Sequence, residues 1–172
     1  MNPSKRIYAA FLASVGLWCL AIIAAPLLST YGGATGASIA DALYLGFSKI
    51  CHQIDGRSLH LCGAKFGVCV RCSSIYFSFF AGLLVYPFLR RLDSRQVPDK
   101  RWLLLAIVPM AVDAFLNDAA LHASDDVTRI VTGSVAGFTF AFFVLPLFIE
   151  AVRQLLDHRK FKGETSYAGQ TQ

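Results

Sequence analysis

The sequence predicts an all-α membrane protein, a four-transmembrane-helix bundle with an interfacial amphipathic helix and an outer-face Cys/His loop. Three observations carry that prediction. Hydrophobic types make up 55% of the residues and charged types only 16%, where soluble domains carry roughly 25% charged residues. The apolar residues fall in uninterrupted runs separated by short charged segments. Mean hydropathy is +0.52. Such a chain is not disordered, not a coiled coil and not an ordinary soluble domain. Its net charge of +5 lies beside the apolar runs, as membrane flanks require. No aromatic-basic RNA motif, glycine-rich phosphate loop or long basic arm accompanies it, so the expected partner is the lipid bilayer and no nucleic acid.

A hydrocarbon core about 30 Å thick needs roughly 20 apolar residues per helix. The first run, 7–29, carries no charge and exceeds the roughly 7–15 apolar residues of a signal peptide. The second run is 73–89. The third, 102–120, is interrupted by Asp113 and Asn117, and the fourth is 127–149. Residues 39–50 are too few and too polar to cross, and read as an amphipathic helix in the interface. Residues 1–162 therefore form one integral membrane domain, and the small, polar segment 163–172 is expected to be a disordered tail.

Basic residues set the orientation. Lys5, Arg6, Arg90, Arg91, Arg95, Lys100, Arg101, Arg153, Arg159, Lys160 and Lys162 fall on one side of a four-span layout. Lys49, Arg57, Lys65, Arg71 and Arg129 fall on the other, beside several aspartates. The first side is cytoplasmic and holds both termini; the 30–72 segment lies outside.

That outer segment contains Cys51, His52, His60, Cys62, Cys69 and Cys72, whereas Cys19 sits within the first span as a small apolar side chain. Cys69-Val70-Arg71-Cys72 is a C-x-x-C, a spacing that turns two sulfurs inward to grip a metal or close a disulfide. Ser73 stands where covalent haem attachment needs histidine. Cys51, 18 residues upstream, is the best third ligand for zinc; His52, Cys62, His60, an acidic side chain or water is the fourth. If His52 does not ligate, it carries protons beside the ion. Two other readings stay open: structural disulfides Cys51–Cys62 and Cys69–Cys72, as is common outside the cytoplasm, and a redox-active dithiol relay.

Asp113 and Asn117 share one helix face, and ionisable groups within spans face the bundle interior and serve a site. Arg129, with Thr132 and Gly133 one turn deeper, opens the fourth span on the same side. The catalytic candidates are therefore His52, Asp113 and Arg129; the plain alternative is an Asp113–Arg129 ion pair that locks two helices. Gly133 and Gly137 predict a close helix contact. Asp125 and Asp126 suit the positive end of a helix dipole. His122 and His158 read as solvated flank residues.

Cys51-His52-Gln53, Arg57-Ser58, Cys69-Val70-Arg71-Cys72, Ile75-Tyr76, Asp113 and Arg129 with Thr132-Gly133 resemble a family of small, mostly bacterial, predicted integral membrane proteins known as a domain of unknown function. The resemblance spans about 50–137 and implies a bacterial inner membrane. It adds Gln53, Arg57, Arg71 and Thr132 as supporting residues, beside Asn117 from the helix-face reading, and omits Cys62. The sequence departs from the family at Ser73-Ser74, where Thr-Gly is common, and at Ala114, where Gly is. The resemblance implies no established reaction; the residues themselves lead to the expectation of a zinc-dependent hydrolase or transferase acting on a lipid or lipid-linked substrate. Its alternatives are a four-helix thiol–disulfide oxidoreductase linked to quinone and a non-catalytic module with a structural clasp.

Overall fold

The computed structural model describes residues 3–94, 96–119 and 124–168. These form five α-helices in the order α1 Pro3–Tyr31, α2 Gly33–Phe47, α3 Val70–Leu89, α4 Lys100–Asp118 and α5 Asp126–Ala168. Three of them, α1, α3 and the Asp126–Leu156 part of α5, are long and apolar enough to cross a membrane. Helix α4 coincides with the third expected span but is not among them, because its 19 residues include Lys100, Arg101, Asp113 and Asp118. Helix α5 continues past the expected start of the tail to Ala168. Residues 169–172, His122 and the last residue of the expected third span, Ala120, lie outside the described residues.

Helix α1 turns sharply into α2 at Gly32 and Gly33. Gly33 has φ of +60°, and a Cβ on Gly32 would lie 2.5 Å from both the Leu28 carbonyl and Gly36 Cα. Glycine makes both the left-handed step and the close approach possible. Helix α2 thus begins at Gly33, earlier than the 39–50 segment expected from hydropathy, and packs back on α1.

Two prolines fix where other parts of the chain attach to α1 and α3. Proline has no N–H, so the carbonyl four residues before it loses its helical donor. Pro26 frees the Ile22 carbonyl, and Gly67 N–H occupies it at 3.3 Å. Pro87 frees the Leu83 carbonyl, and the Tyr8 hydroxyl donates to it at 3.0 Å. The first bond ties the loop before α3 to α1, and the second ties α1 to the far end of α3.

Helices α3 and α5 make the tightest contact. A Cβ on Gly137 would lie 2.2 Å from the Ile75 carbonyl, and one on Gly133 would lie 3.0 Å from the Arg71 carbonyl. The expected small-residue contact is therefore between these two helices. Ser74 fits by donating its hydroxyl to the Arg71 and Arg129 carbonyls. Lower down, Leu83, Tyr86, Ala141, Leu145 and Ile149 form a buried cluster against α1 residues such as Ile7 and Phe11.

The two ends of the bundle differ. At one end Arg153 and Ser4 both donate to Asp93, joining α1, the α3–α4 connection and α5. At the other end lie the 48–69 loop, the start of α3, the end of α4 and the start of α5. In that loop, His60–Leu61 (β1) and Ala64–Lys65 (β2) pair as a two-stranded antiparallel hairpin. Its turn residues Cys62 and Gly63 have φ of 55° and 84°, the pair of left-handed residues that a tight hairpin needs.

Local geometry makes two substitutions informative. A Cβ on Gly67 would lie 2.7 Å from the buried Phe47 ring, whereas one on Gly46 meets nothing within 4 Å. Gly67→Ala should cost about 1–3 kcal/mol in thermal or denaturant unfolding in detergent, and Gly46→Ala should be neutral or gain up to about 1 kcal/mol. The second site is Asp125, which caps α5 by accepting the Thr128 backbone N–H at 2.9 Å. Hydrogen bonds from the Thr128 side chain and then its backbone hold the Asp125 carboxyl below its ordinary value. Its contribution is complete above the unfolded pKa and is lost as pH falls through the folded one. Asp125→Ala should destabilise α5 at pH 7, and the gap to wild type in melting temperature should close below about pH 4.

Candidate metal centre

Three backbone contexts bring three thiols together. Cys69 is the N-cap of α3, with extended φ and ψ of −65° and 165°. Cys72, three residues on, lies in the first turn, so the C-x-x-C spacing places both on the same side of the helix start. Cys51 follows α2, where its N–H bonds the Phe47 carbonyl at 3.0 Å. Its sulfur accepts the Cys69 N–H at 3.2 Å. The ligand atoms of Cys51, Cys69 and Cys72 all lie within 4.8 Å of one another. Sulfurs about 2.3 Å from a tetrahedral zinc stand about 3.8 Å apart, so little adjustment would seat an ion. Three nearby cysteines can hold a metal ion here; among the described residues no histidine or carboxylate joins them.

The loop that delivers Cys51 is fixed by Gln53. Its backbone is left-handed, with φ of 50°. Its side-chain amide donates to the Tyr44 and Gly67 carbonyls, each at 2.8 Å, while Lys65 Nζ donates to its own carbonyl at 3.0 Å. Tyr44 in turn donates its hydroxyl to the Lys65 carbonyl. Ile22, Phe47, Cys51 and Val68 are buried together beneath this frame, with Phe66, Cys69, Cys72 and Tyr76 packed on them. Tyr44 and Gly67 are structural determinants that no sequence spacing announced.

The Cys51 thiol is pushed far below its ordinary value. The hydrogen bond from the Cys69 thiol is the largest cause, followed by that from the Cys72 thiol, and backbone N–H groups add to it against the cost of burial. Cys51 is therefore the member of the cluster that favours a thiolate, the form that binds metal.

A cavity of about 460 Å³ adjoins the cluster, lined by Cys51, Cys69 and Cys72, by His52, Gln53 and Arg57, and by Arg71 and Arg129, among others. His52 is an exposed residue of this wall and is not within the sulfur group. Asp113 is 7% exposed and is not among the lining residues. Its ion-pair partner is Arg71, between the two cysteines. The Asp113–Arg129 pair considered from the sequence is thus replaced, because Arg71 leaves the first turn of α3 towards α4. Arg129 bonds Asp126 at 3.0 Å and Asn117 Oδ1 at 3.4 Å. Asn117 also accepts the Ser124 N–H at 3.3 Å, closing the α4–α5 connection. Thr132 bonds back to the Thr128 carbonyl of its own helix.

All five cysteines are free thiols. Cys62 lies exposed at the hairpin tip, where its carbonyl accepts the Thr30 hydroxyl, and it does not join the sulfur group. His60 faces Asp55 at 3.3 Å on the surface.

The helices and the thiol cluster define a predicted membrane protein whose distinguishing chemistry sits where α3 begins. The chain belongs to the family described as "Predicted membrane protein (DUF2085)", whose model matches residues 51–143, from Cys51 into α5. It is 37% identical over 160 residues to an uncharacterized protein of Methanocaldococcus jannaschii, covering 92% of this chain and 99% of that one. It is 34% identical over 95 residues to an uncharacterized protein of Methanothermobacter thermautotrophicus, covering 55% of this chain and 84% of that one. Both relatives are archaeal, where the resemblance implied bacterial ones. No solved structure matches.

Removing one partner of a buried ion pair strands the other charge, at a cost of about 3 kcal/mol. Asp113→Ala should show that loss in detergent unfolding. Adding Arg71→Met to it should recover part of the stability; a double variant less stable than the single one would refute the pairing as the cause.

Proposed function

We propose that Cys51, Cys69 and Cys72 hold zinc, and that the protein is a zinc-dependent hydrolase or transferase for a lipid or lipid-linked substrate. The observation that carries this reading is the gathering of three sulfurs in the wall of one open cavity. Three thiolates are soft ligands suited to zinc, and they leave a fourth position, for water or for His52. The ion would supply Lewis acidity. In the first case His52, in the same wall, moves the proton and Arg129 holds an anionic substrate group. Asp113 acts by orienting Arg71, and Asn117 by orienting Arg129. Gln53 holds the Cys51 loop, Arg57 lines the cavity, and Thr132 supports the α5 turn beside Arg129.

Residues 1–162 act as one membrane domain in this reading, with α4 as a fourth crossing. Its exposed Leu104, Leu105, Val108, Val112 and Phe115 suit a lipid-facing side, while Asp113 is turned inward. The meeting of Ser4, Asp93 and Arg153 at the end away from the cysteines supports placing both termini and the α3–α4 connection in the cytoplasm. The site then opens on the outer face of the cell's cytoplasmic membrane. A thiol–disulfide relay linked to quinone ranks second, because it needs Cys62 as a shuttle partner. A non-catalytic clasp differs by having four protein ligands.

Elemental analysis of the purified protein should find about one zinc per chain. Cys51→Ser, Cys69→Ser and Cys72→Ser should each lose most of it, whereas Cys62→Ser should keep it. Metal far below stoichiometry together with a Cys69–Cys72 disulfide would sink the zinc reading in favour of the relay. Thiol labelling of a cysteine introduced at Arg91 should require permeabilised cells if the 90–99 connection is cytoplasmic.

A further inference from the structure

Three arginines line the cavity beside the cysteines. Arg57 comes from the 3₁₀ turn Asp55–Arg57, Arg71 from the first turn of α3 and Arg129 from the start of α5, and no carboxylate is among the lining residues. Three distant stretches of chain converge, so local helix pairing does not account for the meeting. Arg129 is only 8% exposed and is held in place by Asp126 and Asn117. Arg71 bonds Asp113 through Nη2, yet its buried Nε has no partner among the described residues. A buried donor left unmade costs about 1–3 kcal/mol.

Asp113 and Asp126 pair with Arg71 and Arg129 from outside the cavity lining, so what the three arginines offer this space is directed N–H donors rather than surplus charge. Two oxygens of a carboxylate are satisfied by one guanidinium fork, whereas several forks around one space suit a group with three terminal oxygens. The first turn of α3, whose N-cap makes no side-chain cap bond, adds backbone amides favourable to negative charge on the same side.

We propose that Arg57, Arg71 and Arg129 form a phosphoryl-binding subsite, which seats a phosphate monoester against the cysteine cluster. The proposal rests on the metal-centre reading for what happens after binding, and on the arginines alone for the binding itself. The remainder of the cavity receives the atoms next to the phosphorus. The phosphate can belong to a lipid headgroup or to a soluble ester, and the two are separated by experiment.

Full-length protein in detergent is titrated with inorganic phosphate by calorimetry, with the zinc content of every sample measured. Saturable binding with Kd on the order of 1 mM or tighter is expected. Arg57→Gln should weaken it at least about tenfold, the scale of a lost charge-assisted hydrogen bond, as should Arg129→Lys, which keeps the charge and removes the fork. Arg101→Gln, at an exposed position on α4, should leave it unchanged. Arg57, on a loop, decides the matter if the Arg129 variant does not fold. Displacement of phosphate by nanodiscs containing phosphatidic acid, and not by phosphatidylcholine alone, assigns the subsite to a lipid headgroup. Phosphate binding indifferent to both assigns it to a soluble ester. Absence of saturable binding, or binding that Arg57→Gln leaves intact, overturns the proposal. Phosphate binding in zinc-free samples would uphold the subsite and refute the metal reading; stoichiometric zinc without phosphate binding would do the reverse.

Discussion

A backbone carbonyl within lipid has no water to bond, so each one freed by a proline must find a donor in the protein. Pro26 and Pro87, two of the four prolines inside the described helices, place demands that other parts of the chain meet. The Gly67 N–H meets the first at Ile22, and the Tyr8 hydroxyl meets the second at Leu83. The consequences reach the site. Gly67 is held against α1, its carbonyl is taken by Gln53, and Gln53 fixes the loop that presents Cys51. Two residues after Gly67, Cys69 begins α3. A proline in the first helix thereby sets the depth at which the thiols meet.

The remaining polar groups of the bundle are concentrated at its ends. Asp113 lies well inside α4, but its charge is matched by Arg71. A buried pair of this kind contributes little net stability against an apolar substitute, yet losing one member is costly. Its value here is positional. Arg71 stands between Cys69 and Cys72, so its tie to α4 holds the start of α3, while Gly133 and Gly137 press α5 against the following turns. The cysteines are thus gripped from both sides by helices that contribute no sulfur.

Much of this was legible in the sequence. Long apolar runs marked the helices, and the spacing of Cys51, Cys69 and Cys72 singled out the thiols whose sulfurs the structure brings together. Helix α4 was legible as a helix, but its four charged residues keep it short of the apolar length that α1, α3 and α5 show. Partners could not be read. Asp113 had two arginines on the same side, and only the azimuth of Arg71 on α3 decides between them. Gln53 stood out only through a resemblance, whereas its bonds to Tyr44 and Gly67 depend on a left-handed backbone that glutamine rarely adopts. Cys62 was ambiguous by count; the hairpin register that puts it at a tip is set by pairs such as His60 with Lys65.

The contact among Ser4, Asp93 and Arg153 bears on how the chain is made. Ser4 and Arg153 are 149 residues apart, so this closure waits until residue 153 has left the ribosome. Until then the starting end of the first helix has Leu83, through Tyr8, and Asp93, through Ser4, to hold it. Helix α5 arrives last, wedges its glycines into α3 and captures the other end of the chain. The fold is thus closed as a ring, and a chain that stops short of residue 153 lacks the residue that closes it.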